Sequence, residues 1–143
     1  MWRTSDISEI ELVIEKGGDW IILIKSATNV LKGDNFVFVY PELLQNKIIV
    51  RRGEVITSEI LEKKDLEFEN INSKINTLLK KTRDKIKSRG SIVNEITTKG
   101  DFIKKIRDSI KINQQNKYLL EVVSLKDSKT AEAIFVELNV SKL

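Results

Sequence analysis

Residues 9–16 alternate strictly, with Ile10, Leu12 and Ile14 on one side and Glu9, Glu11 and Glu15 on the other. A two-residue period predicts a half-buried strand with an acidic outer face. Gly17-Gly18-Asp19 follows as a hairpin turn, because glycine tolerates the positive φ such turns require. Trp20 to Lys25 is apolar on both faces, which predicts a central strand covered on two sides. Turn chemistry (Ser26, Thr28, Asn29, Gly33, Asp34) separates it from Phe36–Tyr40, another doubly apolar strand, which Pro41 stops. Ile48–Arg52 and Val55–Leu61 read as a hairpin turning at Arg52-Gly53, with a helix beginning at Ser58 as the competitor for its second arm.

From about Asp65 the period changes. Phe68, Ile71, Ile75, Leu78, Leu79, Thr82 and Ile86 share one stripe of a helix, and Gly90 is its stop. A short linker helix fits Ser91–Thr98, ending at Gly100. Asp101 has the character of an N-cap for a further helix with Phe102, Ile103, Ile106 and Ile110 on its inner face, broken at 113–116. Strand character returns at Tyr118–Leu125 and Ala133–Val140, with a turn over Lys126–Thr130 between them. About five strands, a helical segment over 65–113 and two C-terminal strands predict an α+β fold: a largely antiparallel sheet with helices packed on one side. At 143 residues, without a low-complexity linker, 1–143 reads as one domain. The expected core includes Ile22, Phe38, Ile49, Leu79, Ile106, Val122 and Val136.

Composition narrows the chemistry. The absence of Cys excludes disulfides, thiolate metal sites and a cysteine nucleophile. The absence of His removes the commonest general base and metal ligand, and with them the His-dependent triads. No P-loop, EF-hand or HExxH pattern occurs, and Gly17-Gly18 lacks the third glycine of a dinucleotide site. No cofactor is expected. Apolar runs stop at five residues where a membrane span needs about 20, so a cytoplasmic protein without a membrane partner is expected.

Charge changes the picture most. Between Lys74 and Lys111 twelve basic side chains face four acidic ones, whereas residues 1–73 carry nine basic and thirteen acidic. One basic segment on a neutral-to-acidic body is the footprint of a protein that meets phosphates. Lys80, Arg83 and Lys87 stand at i, i+3 and i+7, opposite the apolar stripe, and Lys104, Arg107 and Lys111 repeat that spacing on the next helix. With Lys81, they are the candidate nucleic-acid-binding residues. A merely solvated face is the competing reading, but it would usually mix signs.

The expected function is non-enzymatic nucleic-acid binding through phosphate contacts. The rival is a structural or adaptor protein whose helical segment meets an acidic protein partner or forms a homodimer. Phe36, Phe38 and Tyr40 could stack bases from one face of a strand, but the intervening Val37 and Val39 favour a core strand, in which Phe38→Ala would cost about 3–5 kcal/mol. Asp34 with Glu62 and Lys64 superficially matches the carboxylate pair and lysine of a metal-dependent nuclease.

Overall fold

The first segment folds as a helix, not a strand. The computed structural model describes residues 4–26, 33, 38–112 and 117–143, with backbone alone at 4–7, 68 and 112. Two compact units emerge, Met1–Lys47 and Ile48–Leu143.

In the first unit, α1 spans Thr4–Glu15, and β1 (Trp20–Ser26) pairs antiparallel with β2 (Val39–Gln45). The alternation of residues 9–16 misleads because Val13 is apolar too. Ile10 and Val13, three apart, are the half-buried pair, while Leu12 and Ile14 are exposed. Gly17-Gly18 therefore links a helix to a strand, with both residues at positive φ. A Cβ on Gly18 would lie 2.9 Å from the Trp20 indole nitrogen, which donates to the Gly17 carbonyl at 3.1 Å. Any larger residue at 18 would displace that ring.

Pro41 does not stop a strand but sits inside β2, opposite Ile24. Two strands also cannot cover each other's faces. Ile22 and Phe38, expected in the core, are 42% and 56% exposed. Phe36, Asp34 and the breaker at 113–116 lie outside the described residues.

The second unit holds the core. Its sheet runs β4 (Val55–Glu62), β6 (Lys117–Ser124), β8 (Ile134–Lys142), β5 (Ile96–Thr98). β6 runs antiparallel to both its neighbours, β4 and β8, and β5 runs parallel to β8. Helices α2 (Phe68–Ser88) and α3 (Phe102–Ile112) cover one face, α2 packing on β4 and α3 on β8. Leu61, Tyr118, Leu120, Val122, Val136 and Leu138 point from the sheet into Ile71, Ile75, Leu78, Ile86, Phe102 and Ile106. Ile49, Ile106, Val122 and Val136 are buried as expected, and Leu79 packs partly buried against them. The α+β architecture with helices on one side is therefore real.

Three connections differ from expectation. Val55–Glu62 is a strand throughout, but it pairs with β6; β3 (Ile48–Val50) pairs instead with β7 (Ser128–Lys129), inside the segment read as a turn. The register shift between Val55 and Thr57 accommodates Ile56 as an extra residue, so both Ile56 and Thr57 face the helices. The expected linker helix at Ser91–Thr98 is instead an irregular stretch followed by β5.

Candidate nucleic-acid interface

Local signals set the ends of both basic helices. Gly90, at φ +105°, lets the Ser91 N–H reach the Ile86 carbonyl at 3.1 Å and the Gly90 N–H reach Lys87 at 3.0 Å. These are the paired bonds by which a glycine terminates a helix. At the start of α3, the Asp101 carboxylate accepts from the N–H groups of Ile103 (2.9 Å) and Lys104 (3.3 Å), as its N-cap reading requires. Within α2, the buried Thr82 hydroxyl donates to the Leu78 carbonyl at 2.8 Å and lies 2.6 Å from the Thr57 hydroxyl. A polar residue on the apolar stripe is thereby satisfied, which fixes the rotation of α2 on β4.

That rotation sorts the cations into two sets. Lys74, Lys81, Lys85 and Arg89 form the inner flank. Lys81 contacts Glu59 at 2.5 Å and Lys74 contacts it at 3.6 Å. Lys85 donates to the Ile56 carbonyl at 2.7 Å, and Arg89 binds Glu54 at 2.5 Å and the Ile49 carbonyl at 3.1 Å. These four tie α2 to the sheet. Their spacing of seven, four and four residues is the sequence signal of one row beside the apolar stripe. Lys81, a candidate by sequence, is thus on a different flank from Lys80.

The second set faces outward. Lys80, Arg83, Lys87, Lys104, Arg107 and Lys111 are all exposed. Among the described residues, Lys80, Arg83, Lys87, Lys104 and Lys111 take part in no ion pair. The helices run antiparallel and offset: Phe102 and Ile103 lie beside Ile75 and Leu79, while Arg107, Ile110 and Lys111 lie beside Leu66 and Ile71. The two ridges consequently follow one another, from Lys111 through Arg107 and Lys104 to Lys80, Arg83 and Lys87. At 1.5 Å per residue, this track is about 25 Å long. Glu69, Asp84 and Asp108 are the acids exposed on the same two helices.

The inner flank perturbs two carboxylates. The Lys81 hydrogen bond holds Glu59 below the ordinary carboxylate range despite its partial burial, with the charges of Lys81 and Lys74 adding to this. Burial pushes Glu54 up, but hydrogen bonds from Arg89 and the Arg51 N–H, with the Arg89 charge, outweigh it and leave the group lowered. A lowered folded-state value stabilises the fold above the unfolded value, about 4.3 for Glu, and that stability is lost as pH falls. The denaturation midpoint should drop on acidification below that point. Glu54→Gln with Glu59→Gln should flatten this acid limb; an acid limb unchanged from wild type would contradict the assignment.

Glu62 and Lys64 pair with each other at 3.3 Å beside a single 3-10 turn (Lys63–Asp65), where Asp65 accepts from the Glu62 N–H at 3.0 Å. Among the described residues, no group of three or more Asp or Glu is placed to hold a metal ion, and no helix is long and apolar enough to cross a membrane. No family model, curated protein or solved structure matches the chain.

Proposed function

We propose that the helical layer of the second unit binds nucleic acid through its phosphate backbone, without catalysis and with weak sequence specificity. The observation that carries this reading is the division of labour on α2. Cations beside the sheet are spent on structure, while those on the outer ridge have no partner among the described residues and continue the ridge of α3. Holding like charges along one solvated track is unfavourable by itself, and phosphates relieve it. A track of about 25 Å spans roughly seven steps of a strand at 3.4 Å each. Long Lys and Arg side chains on a helix face position a backbone; base readout would need bidentate contacts from a helix seated in a groove.

The test is the salt dependence of affinity for duplex and single-stranded DNA and RNA. Each neutralised phosphate contributes about −0.9 to the slope of log K against log salt on duplex DNA, so engaging most of the six side chains gives a slope near −4 to −5. Binding should persist near physiological salt. Affinity confined to low salt, with a slope near −1, would refute the reading and favour an adaptor that meets an acidic protein.

A further inference from the structure

None of the described side chains of the first unit is buried, although Leu12, Ile14, Ile22, Ile24, Phe38 and Tyr40 are all large and apolar. A lone helix and a two-stranded hairpin bury too little to offset the entropy of ordering them. Small units make up the difference with disulfides, a metal or association, and this chain has neither Cys nor His.

The hairpin has one usable edge. The Asn46 N–H donates to the Asp19 carbonyl at 2.8 Å, and the register pairs Trp20 with Gln45, Ile22 with Leu43 and Ile24 with Pro41. In an antiparallel ladder this phase turns the backbone N–H and C=O of Trp20, Ile22 and Ile24 away from β2. Among the described residues, no strand pairs with that side of β1. On the opposite edge the outward positions are Val39, Pro41, Leu43 and Gln45, and Pro41, which has no N–H, interrupts strand addition in the middle of that row. Side-chain exposure agrees. Ile10 and Val13 of α1 share a shallow groove with Pro41 and Leu43, so α1 lies over β2. Ile22 and Ile24, on that same face of the sheet, are left 42% and 62% exposed.

The occupant can be read from the strand. Asp19-Trp20-Ile21-Ile22-Leu23-Ile24-Lys25 places an acid at one end, a base at the other and five apolar residues between. Such a strand is complementary to itself when paired antiparallel about a two-fold axis through Ile22. Ile22 then meets Ile22 of the second copy, Trp20 meets Ile24, Ile21 meets Leu23, and Asp19, which accepts from Asn46 within its own hairpin, meets Lys25, which already pairs with Glu42, at both ends. Moving the axis to Leu23 would set Lys25 against Ile21 and lose both charge pairs. We propose that the chain forms a homodimer through antiparallel pairing of β1 with β1 of a second copy, producing a continuous four-stranded sheet in the order β2-β1-β1-β2. The interface is isologous and closes on itself, so it does not propagate into fibres. It is independent of the nucleic-acid reading.

Sedimentation equilibrium on the full chain should give twice the monomer mass of 16.4 kDa. Ile22→Glu, which sets two carboxylates together on the axis, should give monomer that loses the circular dichroism of the first unit and keeps the unfolding transition of the second, whose core lies elsewhere. Ile24→Pro should do the same, because the N–H it removes points away from β2 and into the β1–β1 pairing. A chain without native Cys also allows a register test that needs no folded monomer. A hydrogen-bonded antiparallel pair has Cα atoms about 5.5 Å apart, within disulfide range, so oxidised Ile22→Cys should form a covalent dimer. Two copies of residue 24 would be about 13 Å apart, so Ile24→Cys should crosslink at least about tenfold less. Wild-type protein that sediments as a monomer up to the millimolar range, or equal crosslinking of the two Cys variants, would overturn the proposal.

Discussion

Replacing Lys80, Arg83 and Lys87 together by Glu should abolish nucleic-acid binding at physiological salt and leave the unfolding transition almost unmoved. The triple reversal changes the local charge by six units on an exposed ridge. Losing three phosphate contacts alone removes about 2.7 from the salt slope, and the new carboxylates repel the strand as well. Stability should stay close to wild type because surface substitutions away from caps and ion pairs usually fall within about 0.5 kcal/mol each. The inner flank supplies the contrast. Lys81→Glu sets a second carboxylate against Glu59, and Arg89→Glu abandons Glu54 and the Ile49 carbonyl. Those two variants should lower the unfolding midpoint and, while folded, retain most of the affinity. Binding that is lost equally from both flanks would mean a diffuse attraction to a basic protein and not a track. Binding untouched by the outer reversal would end the proposal outright.

The separation between the flanks also explains what was legible in the sequence. Both helices could be read because each signal is local: Gly90 supplies a left-handed residue, Asp101 a capping carboxylate, and the apolar stripe recurs at helical spacing. Strand β8 alternates, and β6 does so as far as Val122, because one face is packed under helices while the other is not. Elements that depend on a distant partner were not legible. β5 is three residues long and exists as a strand because β8 lies parallel to it. β3 and β7 are defined by each other across more than seventy residues, with the Arg52 N–H donating to Asp127 at 2.7 Å to close the same corner. The N-terminal misreading has a different origin. Glu and Leu favour helices, and the spacing of Ile10 and Val13 competes with a two-residue alternation that also fits. Among the candidate site residues, the outward ridges follow from spacing alone. The fate of Lys81 depends on Glu59, which only the sheet brings near.

Leu120→Ala should be among the most damaging single substitutions in the chain, and Phe38→Ala among the mildest despite removing more carbon. Leu120 is fully buried on the middle of β6, flanked in register by Glu59 of β4 and Val140 of β8, beneath the helical layer. Truncating a buried Leu costs about 2–5 kcal/mol, through the lost burial and the cavity left behind. Domains of this size have roughly 5–15 kcal/mol in total, and each 1 kcal/mol moves the midpoint by about 4–8 °C. A fall of about 10–30 °C is expected, with nucleic-acid affinity retained below the new midpoint because the outer ridge is unaltered. Phe38, more than half exposed in the first unit, has little such packing to lose. Its replacement should change the main transition by less than about 0.5 kcal/mol, in line with surface positions generally. If Phe38→Ala were instead to match Leu120→Ala, the stabilising core would have to extend into residues 1–47. The placement of every buried side chain in the second unit would then be an incomplete account of what holds the chain together.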